Sequence, residues 1–212
     1  LTDAEFRVLH QGLDLAPETG GALEVGCEGG RWSKEILRRR GTVNCTDVDQ
    51  QSLDLCSQRL PEARCIRVSP DDRQLPVGDG ELGFMLVYEV TPVTNAPWFP
   101  AEAARVLERG GVLVFSHHNP ASIRALAYRA AMLVGRRAKS WGFYGGPTYT
   151  AFRKSLRAAG FSVIHEEGLA WMPFPRDSDS SLVAPAVRAE RLLGLRRLVA
   201  VSPWVLAVAR RV

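Results

Sequence analysis

The stretch ALEVGCEGGRWS, residues 22–33, sets an acid inside an apolar run, then a cluster of glycines, then the start of a basic segment. Glycines at such a turn let backbone amides and a helix N-terminus approach a polar ligand that side chains would keep away. Asp47 ends the next apolar run, about 20 residues beyond the turn, where a carboxylate can accept hydrogen bonds from ribose hydroxyls. Asp71 and Asp72 follow a third apolar run, placed to meet an adenine amino group from the next crevice position. Turn, ribose acid and adenine acid together describe an adenosine site.

The turn also discriminates between adenosine ligands. A dinucleotide pyrophosphate requires the tighter G-x-G-x-x-G pattern, but here Glu28 stands at the second glycine position and Arg31 at the third. A carboxylate beside a pyrophosphate is electrostatically unfavourable, whereas Glu24 and Glu28 are compatible with a cationic sulfonium and amine. The spacing therefore favours S-adenosylmethionine over a nicotinamide dinucleotide. Each group also has a plainer explanation: Gly26 and Gly30 as strand-to-helix punctuation, and Asp47 as the cap of the following helix.

A second chemical cluster lies at Ser116-His117-His118-Asn119-Pro120, which holds two of the four histidines of the chain. At the substrate edge of such a crevice, His117 or His118 could remove a proton from a phenol or sugar hydroxyl. The competing explanation is that both rings fill the loop entering the next helix. Trp141, Phe143, Tyr144, Tyr149, Trp171 and Phe174 could roof a planar or apolar substrate, or pack in the core. Gly142, Gly145 and Gly146 suggest a lid in the same stretch.

Positioning these groups requires alternating strands and helices. Thr2 and Glu5 have the form of a capping box ahead of Phe6, Leu9 and Leu13, which predicts a leading helix. Strands are expected at Ala22 to Cys27, Val43 to Asp47, Arg64 to Val68, Gly83 to Tyr88 and Val112 to Ser116, with a sharp turn at Arg109-Gly110-Gly111. Helices are expected at Arg31 to Arg40, Gln50 to Leu60, Pro100 to Leu107, Pro120 to Gly135 and Tyr149 to Ala159. Phe161 to Glu167 reads as a strand, Val187 to Leu198 as a helix, and Trp204 to Ala209 as a last strand. Wholly apolar strands alternating with helices imply an α/β fold, a Rossmann-like doubly wound and mostly parallel sheet covered on both faces. Ligands then bind at the C-terminal ends of its strands.

Composition sets outer bounds. The 212 residues can bury one sizeable core, and 46% hydrophobic and 24% charged residues are ordinary globular usage. A single domain is expected, with residues 1–119 as cofactor half and 120–212 as substrate or lid half. No apolar run approaches the ~20 residues of a membrane span, and the opening LTDAEFRVLH is too charged for a signal peptide. The chain opens on Leu1, which leaves room for residues upstream. Cys27, Cys45, Cys56 and Cys65 show no C-x-x-C pair and no zinc-ligand spacing, so reduced thiols in a cytoplasmic protein, and no metal site, are expected. Residues 1–119 carry 12 basic against 18 acidic side chains, and residues 120–212 carry 15 against 5, so the second part is strongly cationic.

LEVGCEGGRWS, CTDVD, DDRQLPVGDGELGFMLVYEV, EAARVLERGGVLVFS and RAAGFSVI occur in the order and spacing of the motifs of class I S-adenosylmethionine-dependent methyltransferases. The chain resembles that family from Ala22 to its end. The resemblance implies S-adenosylmethionine as methyl donor and S-adenosylhomocysteine as product. It implies that Glu24, Gly26, Cys27 and Gly30 surround the methionine part, with Glu24 reaching its amine. Asp47 would hold the ribose, Val48 would lie beside the adenine, Asp71 or Asp72 would face its amino group, and Tyr88 would offer backbone near the methionine amine. Two positions depart from the family pattern: Glu28 for a glycine in the turn, and Gly83 for an aspartate at the start of the fourth strand.

Residues 111 to 175 are loosely similar to ubiquinone-biosynthesis O-methyltransferases and other small-molecule methyltransferases, which makes O-methylation of a small molecule the expected reaction. An alternative is a basic enzyme at a membrane surface acting on a lipid, quinone or lipid-linked glycan. It rests on Ile123, Leu126, Ala127, Ala130 and Leu133 interleaved with Arg124, Arg129, Arg136 and Arg137. Another is a non-catalytic cofactor-binding domain acting through a partner. Nucleic acid is not the expected acceptor, because Tyr88-Glu89-Val90-Thr91 stands where an Asn/Asp-Pro-Pro-aromatic tetrapeptide would.

Overall fold

The computed structural model describes residues 2–133, 144–171, 174 and 179–212. Seven strands form one sheet: β1 (Gly21–Val25), β2 (Asn44–Asp47), β3 (Arg64–Arg67), β4 (Leu82–Val87), β5 (Leu107–His118), β6 (Phe161–Leu169) and β7 (Trp204–Arg211). Their spatial order is β3-β2-β1-β4-β5-β7-β6, with β7 antiparallel to both β5 and β6 and the remaining pairings parallel. The chain leaves β1 toward one edge and returns through β4 on the other side. That reversal is the switch point at which open α/β sheets place their ligands.

The helices are α1 (Thr2–Leu15), α2 (Ser33–Arg40), α3 (Gln50–Arg59), α4 (Thr91–Thr94), α5 (Phe99–Val106), α6 (Ile123–Leu133), α7 (Tyr149–Ala158) and α8 (Val183–Leu192). Alternation along the strands sorts the core into two layers. Phe84, Leu86, Val112 and Val114 face one side, where Val8, Leu9 and Leu13 of α1 and Ile36 of α2 meet them. Met85, Val87, Leu113 and Phe115 face the other, against Phe99, Ala103 and Val106 of α5 and Phe152 and Leu156 of α7. The α1 contact is close: a Cβ on Gly12 would overlap Val114.

Several boundaries differ from the sequence expectation for visible reasons. The helix expected at Arg31 begins at Ser33, after a turn through Cys27 and Gly30. The helix expected from Pro120 begins at Ile123, because Asn119 Oδ1 accepts the Ala121 amide at 3.1 Å and Ser122 Oγ accepts that of Ala125 at 3.2 Å. The helix expected at Val187 to Leu198 lies earlier, at Val183–Leu192, and Gly194 in the left-handed conformation (φ 65°) separates it from a 3-10 turn at Leu195–Arg197. β5 begins at Leu107, so Gly110 and Gly111 lie within it, where its pairing with β4 shifts register. Gly83 packs tightly beneath Thr19, whose carbonyl accepts from Arg40 at 2.8 Å.

Candidate active site

The glycine turn leaves β1 bonded to β2. The amides of Gly26 and Cys27 both donate to the Thr46 carbonyl, at 2.8 and 3.0 Å, and the Gly30 amide closes the turn onto Cys27 at 2.9 Å. Gly26 (φ 73°) and Gly30 (φ 76°) lie in the region that L side chains rarely adopt. A Cβ on Gly26 would overlap Val90, so this glycine also serves the close approach of β1 to the chain after β4. Glu28 adopts φ 47° with its side chain exposed, and its amide N–H donates to Asp47 Oδ2 at 2.9 Å.

Asp47 Oδ1 accepts the Asp49 amide at 3.0 Å, so each carboxylate oxygen receives one backbone donor and keeps capacity for another. The helix-capping explanation for Asp47 is met by its neighbour instead: Asp49 caps α3 by accepting the Ser52 amide at 2.9 Å. The Ser52 hydroxyl, which donates to the same carboxylate at 2.8 Å, and the Ser52 amide together hold the Asp49 carboxyl below its ordinary pKa. Asp47 is thereby oriented across the ends of β1 and β2. Beside it a cleft of about 340 Å³ opens, lined by Val48, Arg67, Val68, Ser69 and Pro70. Val48 is exposed there. Asp71 and Asp72 are both exposed beyond this cleft; Asp72 Oδ2 accepts the Ser69 amide at 2.7 Å, while the Asp71 amide donates to Ser69 Oγ at 3.3 Å. The Asp72 carboxylate thus stabilises the loop, and that of Asp71 is not used by it.

Glu24 lies beneath the turn. It is 2% exposed, its carboxylate accepts from Ser33 Oγ, and burial pushes its pKa well above the usual carboxylate range. Tyr88 follows β4 directly, with its ring turned toward α1, where its hydroxyl donates to the Glu5 carbonyl at 3.1 Å and its edge meets Trp32. The next residue, Glu89, was not singled out from sequence. Its φ is 59°, and its amide donates to Ser116 Oγ at 2.7 Å across the ends of β4 and β5. Among the described residues three non-glycines have positive φ, and two of them, Glu28 and Glu89, flank the switch point. Such backbone strain concentrates where surrounding structure holds a site in shape. The legible signal was an exposed acid directly after an apolar strand.

Strand alternation separates the two histidines. His117 is fully buried in the layer of α7, stacked on Phe152 at 4.9 Å, and its Nε2–H donates to the Pro147 carbonyl at 3.0 Å. Burial lowers its pKa to about 4. His118 faces the opposite side, half-buried between the rings of Trp204 and Tyr144. Of the aromatic roof expected from sequence, Trp141 and Phe143, with Gly142, lie outside the described residues. Tyr144 stands beside His118 and Tyr128. Tyr149 is in the core instead, 1% exposed and donating to Glu166 at 2.7 Å, because α7 begins there. Trp171 is half-buried, and the Phe174 carbonyl accepts from Arg124 at 3.2 Å. Gly146 packs against Asn95, and Gly145 is exposed.

Residues 23–115 match the family pattern of a methyltransferase domain. No curated protein matches the chain in sequence. Among solved structures, an S-adenosylmethionine dependent methyltransferase from Mesorhizobium loti is 19% identical with a TM-score of 0.65, covering 98% of either chain. Geranyl diphosphate C-methyltransferase from Streptomyces coelicolor A3(2), in complex with Mg2+, geranyl diphosphate and S-adenosyl-L-homocysteine, is 18% identical with a TM-score of 0.67. It covers 100% of this chain, which spans 80% of that one. A geranyl diphosphate methyltransferase in complex with SAM gives 16% identity and a TM-score of 0.68, over 99% of this chain and 85% of that one.

Proposed function

From the premise that the chain belongs to the class I S-adenosylmethionine-dependent methyltransferases, we propose that it methylates a hydroxyl of a small-molecule acceptor. The observation that carries the cofactor half is the Asp47 carboxylate, held by the Glu28 and Asp49 amides beside the cleft at Val48. In this assignment the free capacity of Asp47 accepts the two ribose hydroxyls, Val48 packs on the adenine and Asp71 accepts its amino group. Gly26, Cys27 and Gly30 line the methionine part, with Tyr88 contributing backbone. Glu24 supports the turn through Ser33. The geometry is compatible with the cofactor: the positive φ of Gly26 and Gly30 shapes the turn, and the one carboxylate in it, Glu28, is exposed.

When bound, S-adenosylmethionine supplies an electrophilic methyl group on sulfur. The residues of this chain then orient an acceptor at the ends of β4 and β5 and manage one proton. His118 accepts the hydroxyl proton, because its half-buried ring lies on the side of β5 that carries Ser116, the hydroxyl that anchors Glu89. His117, tied to Pro147 and sealed by Phe152, positions the strand end. Titration calorimetry of S-adenosylmethionine against the wild type and Asp47→Asn tests the cofactor site. Two charge-assisted hydrogen bonds at about 1.5–3 kcal/mol each should make the variant at least ~100-fold weaker. Equal affinity would remove Asp47 from the site. A methyl-transfer screen of phenols, sugars, amines and carbon acceptors, run with the wild type and His118→Gln, tests the acceptor half; turnover only on amines or carbon acceptors would overturn it.

A second reading is favoured by the exposed apolar side chains of the cationic part: Ile123, Leu126, Leu192, Leu193 and Leu198. Interleaved with arginines, they suit an anionic membrane surface and an acceptor that is a lipid, quinone or lipid-linked glycan. Among the described residues no helix is long and apolar enough to cross a membrane, so this association would be peripheral. Flotation with anionic liposomes distinguishes the two readings.

A further inference from the structure

The four cysteines are separated by 8 to 17 intervening residues and carry no ligand spacing in the sequence, yet the fold brings three of them to one point. Cys27 comes from the glycine turn, Cys45 from the middle of β2 and Cys56 from α3, and their sulfurs all lie within 4.8 Å of one another. All three are reduced and buried, at 0–2% exposure, beneath the turn. Cys65 of β3 sits in register with Cys45, half-buried near the edge of the sheet. The packing on this cluster is tight: a Cβ on Gly30 would come 2.9 Å from Cys56 Sγ.

We propose that Cys27, Cys45 and Cys56 form a three-thiolate site for a thiophilic d10 cation such as zinc or cadmium, placed directly under the cofactor turn. Sulfurs bound to one such ion at ~2.3 Å stand ~3.8 Å apart, so the cluster must contract by about 1 Å at most. A disulfide would use two sulfurs and leave the third, whereas convergence of three sulfurs from three elements is what a metal ion requires. Each thiol loses its proton as the ion enters, giving three metal–sulfur bonds and three protons released to solvent. Cys65, in register with Cys45 and less buried, marks the entry side. The Cys45 thiol donates to Ser33 Oγ at 3.1 Å, a hydrogen bond that is given up when the thiol ionises. The ion would bind together the turn, the strand that ends in Asp47, and the helix capped by Asp49.

The test uses the full chain, reduced and stripped with chelator, then titrated with cadmium in the absence of S-adenosylmethionine. One equivalent should bind, with a sulfur-to-cadmium charge-transfer band in the ultraviolet, proton release measured in weak buffer, and a cadmium-113 resonance in the sulfur-rich region. Cys56→Ser should lower the band by about a third and weaken binding at least 10-fold, while Cys65→Ser should keep the stoichiometry. Absence of the charge-transfer band in the wild type overturns the site, and so does a band unchanged in Cys56→Ser. The cadmium-113 measurement needs only the wild type, so a variant that fails to fold leaves the test intact. None of these readouts depends on methyl transfer.

Discussion

Replacing His117 with glutamine should flatten the acid side of the stability profile. The ring is fully buried, and since a carbonyl only accepts, the 3.0 Å contact with Pro147 assigns the proton to Nε2. Among the described residues Nδ1 is then a buried lone pair with no partner, and protonating it would create a buried charge without one. Burial accordingly lowers the pKa from the ordinary 6.5 to about 4. Above pH 6.5 the ring is neutral whether folded or unfolded and contributes no pH dependence. Between 6.5 and 4 the unfolded chain binds a proton that the folded chain refuses, so stability is lost as pH falls. The linkage amounts to about 2 kcal/mol at pH 5. Urea unfolding of wild type and His117→Gln at pH 7.5 and pH 5 gives the difference of differences, from which the other titrating groups cancel. The wild type should lose about 2 kcal/mol more than the variant. Equal losses would mean that His117 titrates normally in the folded state, and the sealed neutral ring assigned to it would be wrong.

Glu28→Gly should relieve a left-handed residue (φ 47°) and stabilise the protein by about 0.5–1 kcal/mol, with S-adenosylmethionine affinity retained because the backbone donor to Asp47 is kept. Calorimetric and urea titrations check both parts, and a large loss of affinity would give the Glu28 carboxylate a direct role. Glu167, 7% exposed, accepts from Arg7 at 2.8 Å and from Arg196 at 3.2 Å, linking β6 to α1 and the 3-10 turn. Because Arg7 is half-exposed, Glu167→Gln should cost about 2 kcal/mol rather than the full cost of breaking a buried pair. This would appear as a lower urea midpoint with an unchanged slope; an unchanged midpoint would reduce the triad to a surface contact.

Patterns local in the chain were legible from sequence, and those created by strand pairing were not. The glycines at 26 and 30 and the acid at 47 sit at fixed distances along one βαβ unit, so their spacing survives folding and could be read directly. The role of Asp49 as cap, which leaves Asp47 available, needed the φ and ψ of the helix start. His117 and His118 were equivalent in sequence because only the sheet decides which neighbour faces which layer. One step along β5 moves the ring from the Phe152 side to the Trp204 side. The thiols show the same limit more strongly. Cys27, Cys45 and Cys56 belong to three successive elements, and no sequence period relates them. Their convergence follows from the parallel register of β1 with β2, which sets Glu24 against Cys45, and from the packing of α3 on the turn through Gly30 and Cys56. That register is also what brings the Glu28 amide to the Asp47 carboxylate. The proposed cofactor cradle and the thiol cluster therefore share one piece of backbone, and a change that shifts the turn should be felt by both.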